Sequence, residues 1–184
     1  MDNRLFRVLN RIGFTRGVSA VMRAVMVPVD TALQMRSAGR LSVGRPMGVP
    51  SLLLTTVGCR SGQLRPTPLF YVGHDGGFAV VGSNFGQGRH PDWTANLLKT
   101  ADAFVATEGR RMPVKARLVT GTEREEVWRK ILELSSGYQT YNDRSGRDLR
   151  IFHLQPIPPQ GFPQGARVTV VETTRRPDDR TAGH

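Results

Sequence analysis

The chain of 184 residues carries 26 Lys and Arg against 15 Asp and Glu, a formal charge of +11, and a single cysteine. That length fits one domain with extensions at both ends. One thiol and four scattered histidines exclude an internal disulfide and a thiolate zinc site, and no run of about 20 apolar residues offers a membrane span.

Residues 1–45 form a basic segment predicted to be helical. Leu5, Phe6, Leu9 and Ile12, then Val18, Val21, Met22, Val25 and Met26, recur near helical spacing, and Pro28 closes or kinks the run. Arg4, Arg7, Arg11, Arg16 and Arg23 interrupt every apolar stretch, which argues against a secretory leader. With the lone thiol, this points to a reducing, cytoplasmic setting. Two placements fit such a helix: packed on a core with its arginines in solvent, or flat on an anionic membrane as a peripheral contact.

From Pro50 the periodicity changes. Ser51 to Val57 reads as a buried strand, Gly58 to Gln63 as a turn, Thr67 to Val72 as a second strand, and His74 to Gly77 as a hairpin turn into a third strand, Phe78 to Ser83. A glycine-rich loop, Asn84 to Gly88, precedes a short helix capped by Asp92 and running to Lys99. Ala103 to Thr107 and Met112 to Thr120 are two more strands around Glu108 and Gly109. Thr122 and Glu125 have capping-box spacing ahead of the apolar face Val127, Trp128, Ile131 and Leu132. A helical stretch from Tyr138 to Arg144 and a strand from Leu149 to Leu154 complete the core. Beyond Pro156 the prolines break regular structure, Val168 to Glu172 is a candidate edge strand, and the end reads as a disordered tail. Short strands joined by hairpins, with few helices, predict a mainly β fold with α decorations, built as a closed or nearly closed antiparallel barrel. No dinucleotide or Walker loop stands between a strand and a helix. The boundaries follow: a basic N-terminal segment at 1–45, the barrel at 46–156 and an extension at 157–184.

Three stretches can carry chemistry. The first is the turn Gly58-Cys59-Arg60-Ser61-Gly62 with Arg65 close behind. Two guanidiniums, a hydroxyl and freed amides can converge on one anion, although an arginine-rich protein also makes basic turns without a ligand. The second is Gly82 to Trp93, where glycines let a planar ring approach the main chain. Trp93 in it fits either a core position or a ring contact. The third is Tyr138 with Tyr141, three apart and so on one helix face, where phenols can hydrogen-bond a substrate or simply sit half-buried as a pair. No nucleophile–base pair is placed, so redox chemistry on this chain belongs to a bound cofactor.

Those stretches, Leu52 to Val72, Val80 to Leu97 and Gly137 to Pro156, resemble the deazaflavin (coenzyme F-420)-dependent nitroreductase family of actinobacteria. The resemblance covers roughly residues 45–156. It implies a six-stranded antiparallel split β-barrel of the flavin-reductase/pyridoxamine-oxidase type, and hydride transfer from reduced F-420 to an electron-poor acceptor such as a quinone, nitro compound or enone. It implies that Cys59, Arg60, Ser61 and Arg65 hold the phosphate and polyglutamate tail. Thr67, Pro68, Leu69, Val81, Gly82, Ser83 and Asn84 would meet the ring, with Trp93, Asn96 and Tyr138 closing the site. Phe70, Ser83, Tyr138 and Tyr141 would face the acceptor, and Ser83 and Tyr138 would act in catalysis. Cys59 stands where the family turn usually has a basic residue, which lowers the expected hold on the tail. Phe70 and Ser135 stand where nitroimidazole-reducing members tend to have tyrosines. The competing expectations are an FMN-dependent reductase and a non-catalytic barrel carrying a flavin, haem or lipid. Specific nucleic-acid binding is not expected, because the aromatics do not interleave with the basic residues. A monomer and a homodimer fit equally.

Overall fold

The structure, a computed structural model, describes residues 21–158. Six strands close into one antiparallel barrel in the order β1-β2-β3-β6-β5-β4. They are β1 Ser51–Val57, β2 Leu64–His74, β3 Gly77–Val81, β4 Asp102–Thr107, β5 Arg110–Leu118 and β6 Ile151–Pro156. Four helices decorate it: α1 Val27–Ser37, α2 Asp92–Lys99, α3 Gly121–Leu134 and α4 Gly137–Ser145. The split barrel expected from the sequence is the fold observed.

Alternation along the strands divides the apolar residues into two cores. Leu52, Leu54, Val80, Val105, Val114, Phe152 and Leu154 point inward and fill the barrel, plugged at one end by Trp93 and Leu97 of α2. Ala79, Val81 and Ile151 point outward and are covered by Val127 and Ile131 of α3 and by Tyr138 and Tyr141 of α4. Both faces of β3 and β6 are therefore buried, which is why these strands read as continuous apolar runs.

The strand that positions the site is β2. Its pairing with β1 runs from Leu64 to Phe70, but its pairing with β3 begins only at Tyr71↔Val80 and ends at His74↔Gly77. The Tyr71 N–H donates toward the β1 side, to the Pro50 carbonyl at 3.2 Å. By alternation the backbone nitrogens of positions 66 and 68 face the other way, where β3 has already parted. Pro66 and Pro68 thus lack N–H groups that no neighbouring strand would use. The result is a wedge that opens between β2 and β3 above Phe70 and Val81 and widens toward the turn at Gly58–Gln63.

Several boundaries differ from expectation. β2 starts at Leu64 and not at Thr67, for the reason just given. Pro28 does not end the N-terminal helix; it sits in the first turn of α1, after a π-helical turn over Met22–Met26. The residue before α2 is Pro91, so Asp92 lies in the first turn and does not cap it. α3 likewise starts at Gly121 after Thr120, with no side-chain cap, so Thr122 and Glu125 form no capping box. The candidate edge strand at 168–172 and the tail lie outside the described residues.

α1 inverts the expected amphipathicity. Asp30 and Gln34 are buried, with the Gln34 amide donating to Asp30 at 3.0 Å and Asp30 accepting the Val43 N–H at 2.9 Å. Val21, Val25, Val29 and Leu33, four apart, are exposed at 61%, 54%, 48% and 38%. Among the described residues no helix is long and apolar enough to cross a membrane.

β3 and β6 cross closely at Gly77, where an added Cβ would stand 2.5 Å from the Leu154 carbonyl oxygen and 2.7 Å from His153 Nε2. Because the first of these atoms is backbone, Gly77→Ala must displace β6, and a loss of about 1–3 kcal/mol is expected in urea unfolding.

Candidate functional site

Two loops flank α2 at one end of the barrel. The turn after β1 is closed by Gly58 N–H donating to the Gln63 carbonyl at 2.8 Å, and Gly62 takes a positive φ of 68° that favours glycine. Asn96 pins this turn from α2. Its Oδ1 accepts the Cys59 N–H and its Nδ2 donates to Thr56 Oγ1, both at 2.9 Å. Arg60, Ser61 and Arg65 are exposed, and among the described residues Arg65 donates only to the nearby Gln63 side chain, at 3.1 Å. Cys59 adds no charge, but Lys99 of α2 reaches its carbonyl at 2.8 Å and brings a third cation to the turn. Sequence spacing gave no hint of Lys99, which lies forty positions along the chain.

The second loop follows β3. Ser83 is right-handed helical at φ −70° and ψ −31°, and Asn84 and Phe85 are left-handed at φ 46° and 53°. Arg147, just beyond α4, holds the loop through five contacts. Its guanidinium donates to the carbonyls of Gly82 at 3.1 Å, Ser83 at 3.3 Å, Gln87 at 3.2 Å and Arg89 at 3.0 Å, and to His90 Nδ1 at 2.7 Å. A guanidinium has no lone pair to offer, so His90 must accept with Nδ1 and carry its proton on Nε2. Burial, then Arg147 and Arg150, lower the His90 pKa. Arg144 of α4 secures the tip of the loop by donating to the Phe85 carbonyl and lies over the Tyr141 ring at 5.2 Å.

Between the outer face of β2 and β3 and helices α3 and α4 runs an apolar cleft lined by Phe70, Val72, Val81, Ile131, Leu134 and Tyr138. It is packed shut in its depth, with no interior room for a water molecule, so a planar guest would lie at its rim, where Phe70 is 39% exposed. Tyr138 is buried, and that burial, with Tyr141 beside it, raises its phenol far above the usual value. It stays protonated and so keeps an O–H to donate.

The remaining candidates divide by strand parity. Pro68 and Phe70 pair with Leu53 and Ser51 on the outer face, whereas Thr67 and Leu69 pair with the inward Leu54 and Leu52, so the latter two side chains point into the barrel. Trp93 is core, edge-on to Phe152 with ring centroids 5.6 Å apart. Asn96 has both amide ends engaged in the fold. Val81 and Gly82 are buried under α4 and α2, and an added Cβ at Gly82 would stand 2.8 Å from Thr94.

A sequence profile of the F420H(2)-dependent quinone reductases matches residues 27–156. The chain belongs to the F420H(2)-dependent quinone reductase family. The enzyme class and the deazaflavin cofactor expected from the sequence follow from that membership. Among quinone reductases of this kind, Rv1261c of Mycobacterium tuberculosis is 28% identical over 132 residues, 70% of this chain and 89% of that one. A solved structure of an F420-H2 dependent reductase (FDR-A) is 32% identical with a TM-score of 0.54, covering 58% of this chain and 94% of the other. A further solved chain, a domain-swapped dimer, matches with the same identity and TM-score and is covered over 80% of its length. The family match begins at Val27, the first residue of α1.

A second titratable cluster lies away from the wedge. His74 bonds Glu123 at 2.8 Å, and Glu123 also takes a two-pronged contact from Arg117, which draws its pKa down to about 2. His153 donates from Nε2 to the His74 carbonyl at 3.0 Å, its Nδ1 is buried without a partner, and burial lowers its pKa. The unfolded chain takes up protons at His90 and His153 more readily than the folded one. Stability is therefore full above pH 6.5, falls as pH drops through their depressed values, and falls again from 4.5 toward 2 as Glu123 protonates. Urea midpoints across that range check this, and His153→Gln flattens the first step.

Proposed function

We propose that the wedge between β2 and the loop after β3 is the cofactor seat, and that its acceptor is a quinone. One observation supports the reading: β2 and β3 part, with Arg60 and Arg65 about the turn at one end, Lys99 of α2 bonded to the Cys59 carbonyl there, and Phe70 and Tyr138 in the cleft at the other. The donor chemistry fits an elongated anionic cofactor. Guanidiniums and the Ser61 hydroxyl would hold the phosphate and carboxylate tail, and Pro68, Ser83 and Asn84 would meet the ring, whereas the buried Val81 and Gly82 support it from beneath. Bound there, the reduced deazaflavin supplies the hydride. Asn96 and Trp93 act through the fold, Asn96 by fixing the turn and Trp93 by plugging the barrel.

Tyr138 and Ser83 stand where an acceptor oxygen gains charge. Tyr138 is too weak an acid to give up its proton, so it stabilises that oxygen by donating a hydrogen bond, and the proton comes from solvent. Phe70 at the rim gives the acceptor an apolar face, and Tyr141, edge-on to Tyr138 at 6.2 Å, fixes the phenol's orientation.

Titration with F-420 and with FMN, followed by steady-state oxidation of reduced F-420 with menadione, tests the reading. Tight F-420 binding with menadione turnover is expected. FMN binding without F-420 affinity, or F-420 binding with no acceptor reduced, overturns it.

The exposed stripe Val21, Val25, Val29 and Leu33 on a chain of charge +11 favours a peripheral seat on anionic membrane, where lipid-soluble quinones reside. Cosedimentation with anionic but not zwitterionic vesicles is expected, and Val25→Asp with Val29→Asp abolishes it. The swapped relative favours a homodimer, which sedimentation equilibrium checks.

A further inference from the structure

Arg147 touches neither the cationic turn nor the apolar cleft, yet it spends its whole guanidinium on the loop that faces the wedge. We infer that Arg147 is a positioning residue for the ring seat: by binding the Gly82 and Ser83 carbonyls it turns the N–H groups of Ser83 and Asn84 toward the wedge as paired donors for the carbonyl edge of a bound deazaflavin. The inference rests on the cofactor reading above and adds a residue to it.

Peptide geometry carries the argument. A trans peptide sets its C=O and N–H on opposite sides. The Gly82 carbonyl accepts from Arg147 at 3.1 Å, so the Ser83 N–H points away from Arg147. The Ser83 carbonyl accepts from Arg147 at 3.3 Å and from the Gly86 N–H at 2.9 Å, so the Asn84 N–H points away too. Ser83 is right-handed and Asn84 left-handed at φ 46°, the succession that turns consecutive N–H groups into one concave nest for an electron-rich oxygen. Left-handed backbone at two successive residues other than glycine, Asn84 and Phe85, is costly and persists only where its surroundings hold it. Arg147 and the Arg144 contact to Phe85 are what hold it. A cation on the carbonyl side also polarises each peptide and makes its N–H a better donor. Lysine keeps the charge but loses the fork that spans five acceptors.

The test uses the purified chain and two probes: F-420, and its ring–ribityl fragment without phosphate or tail. Arg147→Met is expected to weaken the fragment about tenfold or more and Arg147→Lys to recover part of that. Arg60→Ala with Arg65→Ala is expected to leave fragment binding unchanged while weakening F-420. In the cofactor-free protein, amide exchange in Arg147→Met should accelerate at Gly86 and Gln87, whose N–H groups bond the Ser83 and Asn84 carbonyls at 2.9 and 3.1 Å, and stay slow in the barrel strands, a local change that general unfolding would not give. If Arg147→Met and Arg147→Lys both bind the fragment as the native chain does, the inference is overturned and the cofactor reading stands. If the turn variants bind F-420 as tightly as the native chain, the cofactor reading falls and the inference with it.

Discussion

Replacing Arg60 and Arg65 together by alanine weakens F-420 binding by roughly ten- to several-hundredfold and leaves folding stability nearly unchanged. The estimate starts from about 1.5–3 kcal/mol for each charge-assisted hydrogen bond to an anion, reduced because both side chains are solvent-exposed and share their load with salt. Stability is spared because neither guanidinium ties the fold together. Among the described residues Arg65 bonds only Gln63, and the turn is held by Asn96 and by its own backbone. Fluorescence titration at low and high ionic strength reads the effect. The native chain should lose affinity steeply with salt, and the double variant should lose less, because the ion pairs that salt screens are gone. A change of less than about threefold, or an unaltered salt dependence, places the tail elsewhere. Lys99→Ala adds a smaller loss, since its ammonium also bonds the Cys59 carbonyl and steadies the turn.

What could be read beforehand, and what could not, follows from how local each cause is. β1 is bounded by Pro50 and Gly58, and its run SLLLTTV has no competing period, so its ends were legible to the residue. The start of β2 at Leu64 has no local cause, since only the partner register shows that Pro66 and Pro68 face the side from which β3 has withdrawn. The start of α3 misleads because Glu123, the residue spaced to cap with Thr120, is taken by Arg117 and His74 from other elements. The inversion of α1 is equally nonlocal. Asp30 and Gln34 are buried because Asp30 also binds the Val43 backbone, a partner thirteen positions away. At the proposed site, the residue types in the turn and in the loop are what suggest anion and ring chemistry. Arg147 gave no such signal, since one arginine among many becomes special only when five acceptors between positions 82 and 90 fold around it.

Tyr138→Phe is expected to lower kcat by about ten- to a thousandfold, the range for removing one preorganised donor from a developing oxyanion, with F-420 affinity changed little. The direction follows from the raised pKa of the buried phenol, which keeps it protonated throughout the working range. The loss should therefore be the same at every pH, with no ionisation of Tyr138 in the native pH–rate profile. A proton-transferring tyrosine would instead give the variant a profile with one limb missing. Ser83→Ala is expected to cost less, because Ser83 is only half-buried and water can take the place of its hydroxyl. The double variant should lose less than the product of the two if both donors serve one oxygen, since groups acting as a unit are not additive. Packing must be held constant for this to be read. Phenylalanine keeps the ring against Tyr141 and Ile131, so unchanged thermal unfolding should accompany the loss of rate. If Tyr138→Phe turns over menadione at the native rate, the oxyanion role passes to Ser83 and the loop amides, which Arg147 already holds in place.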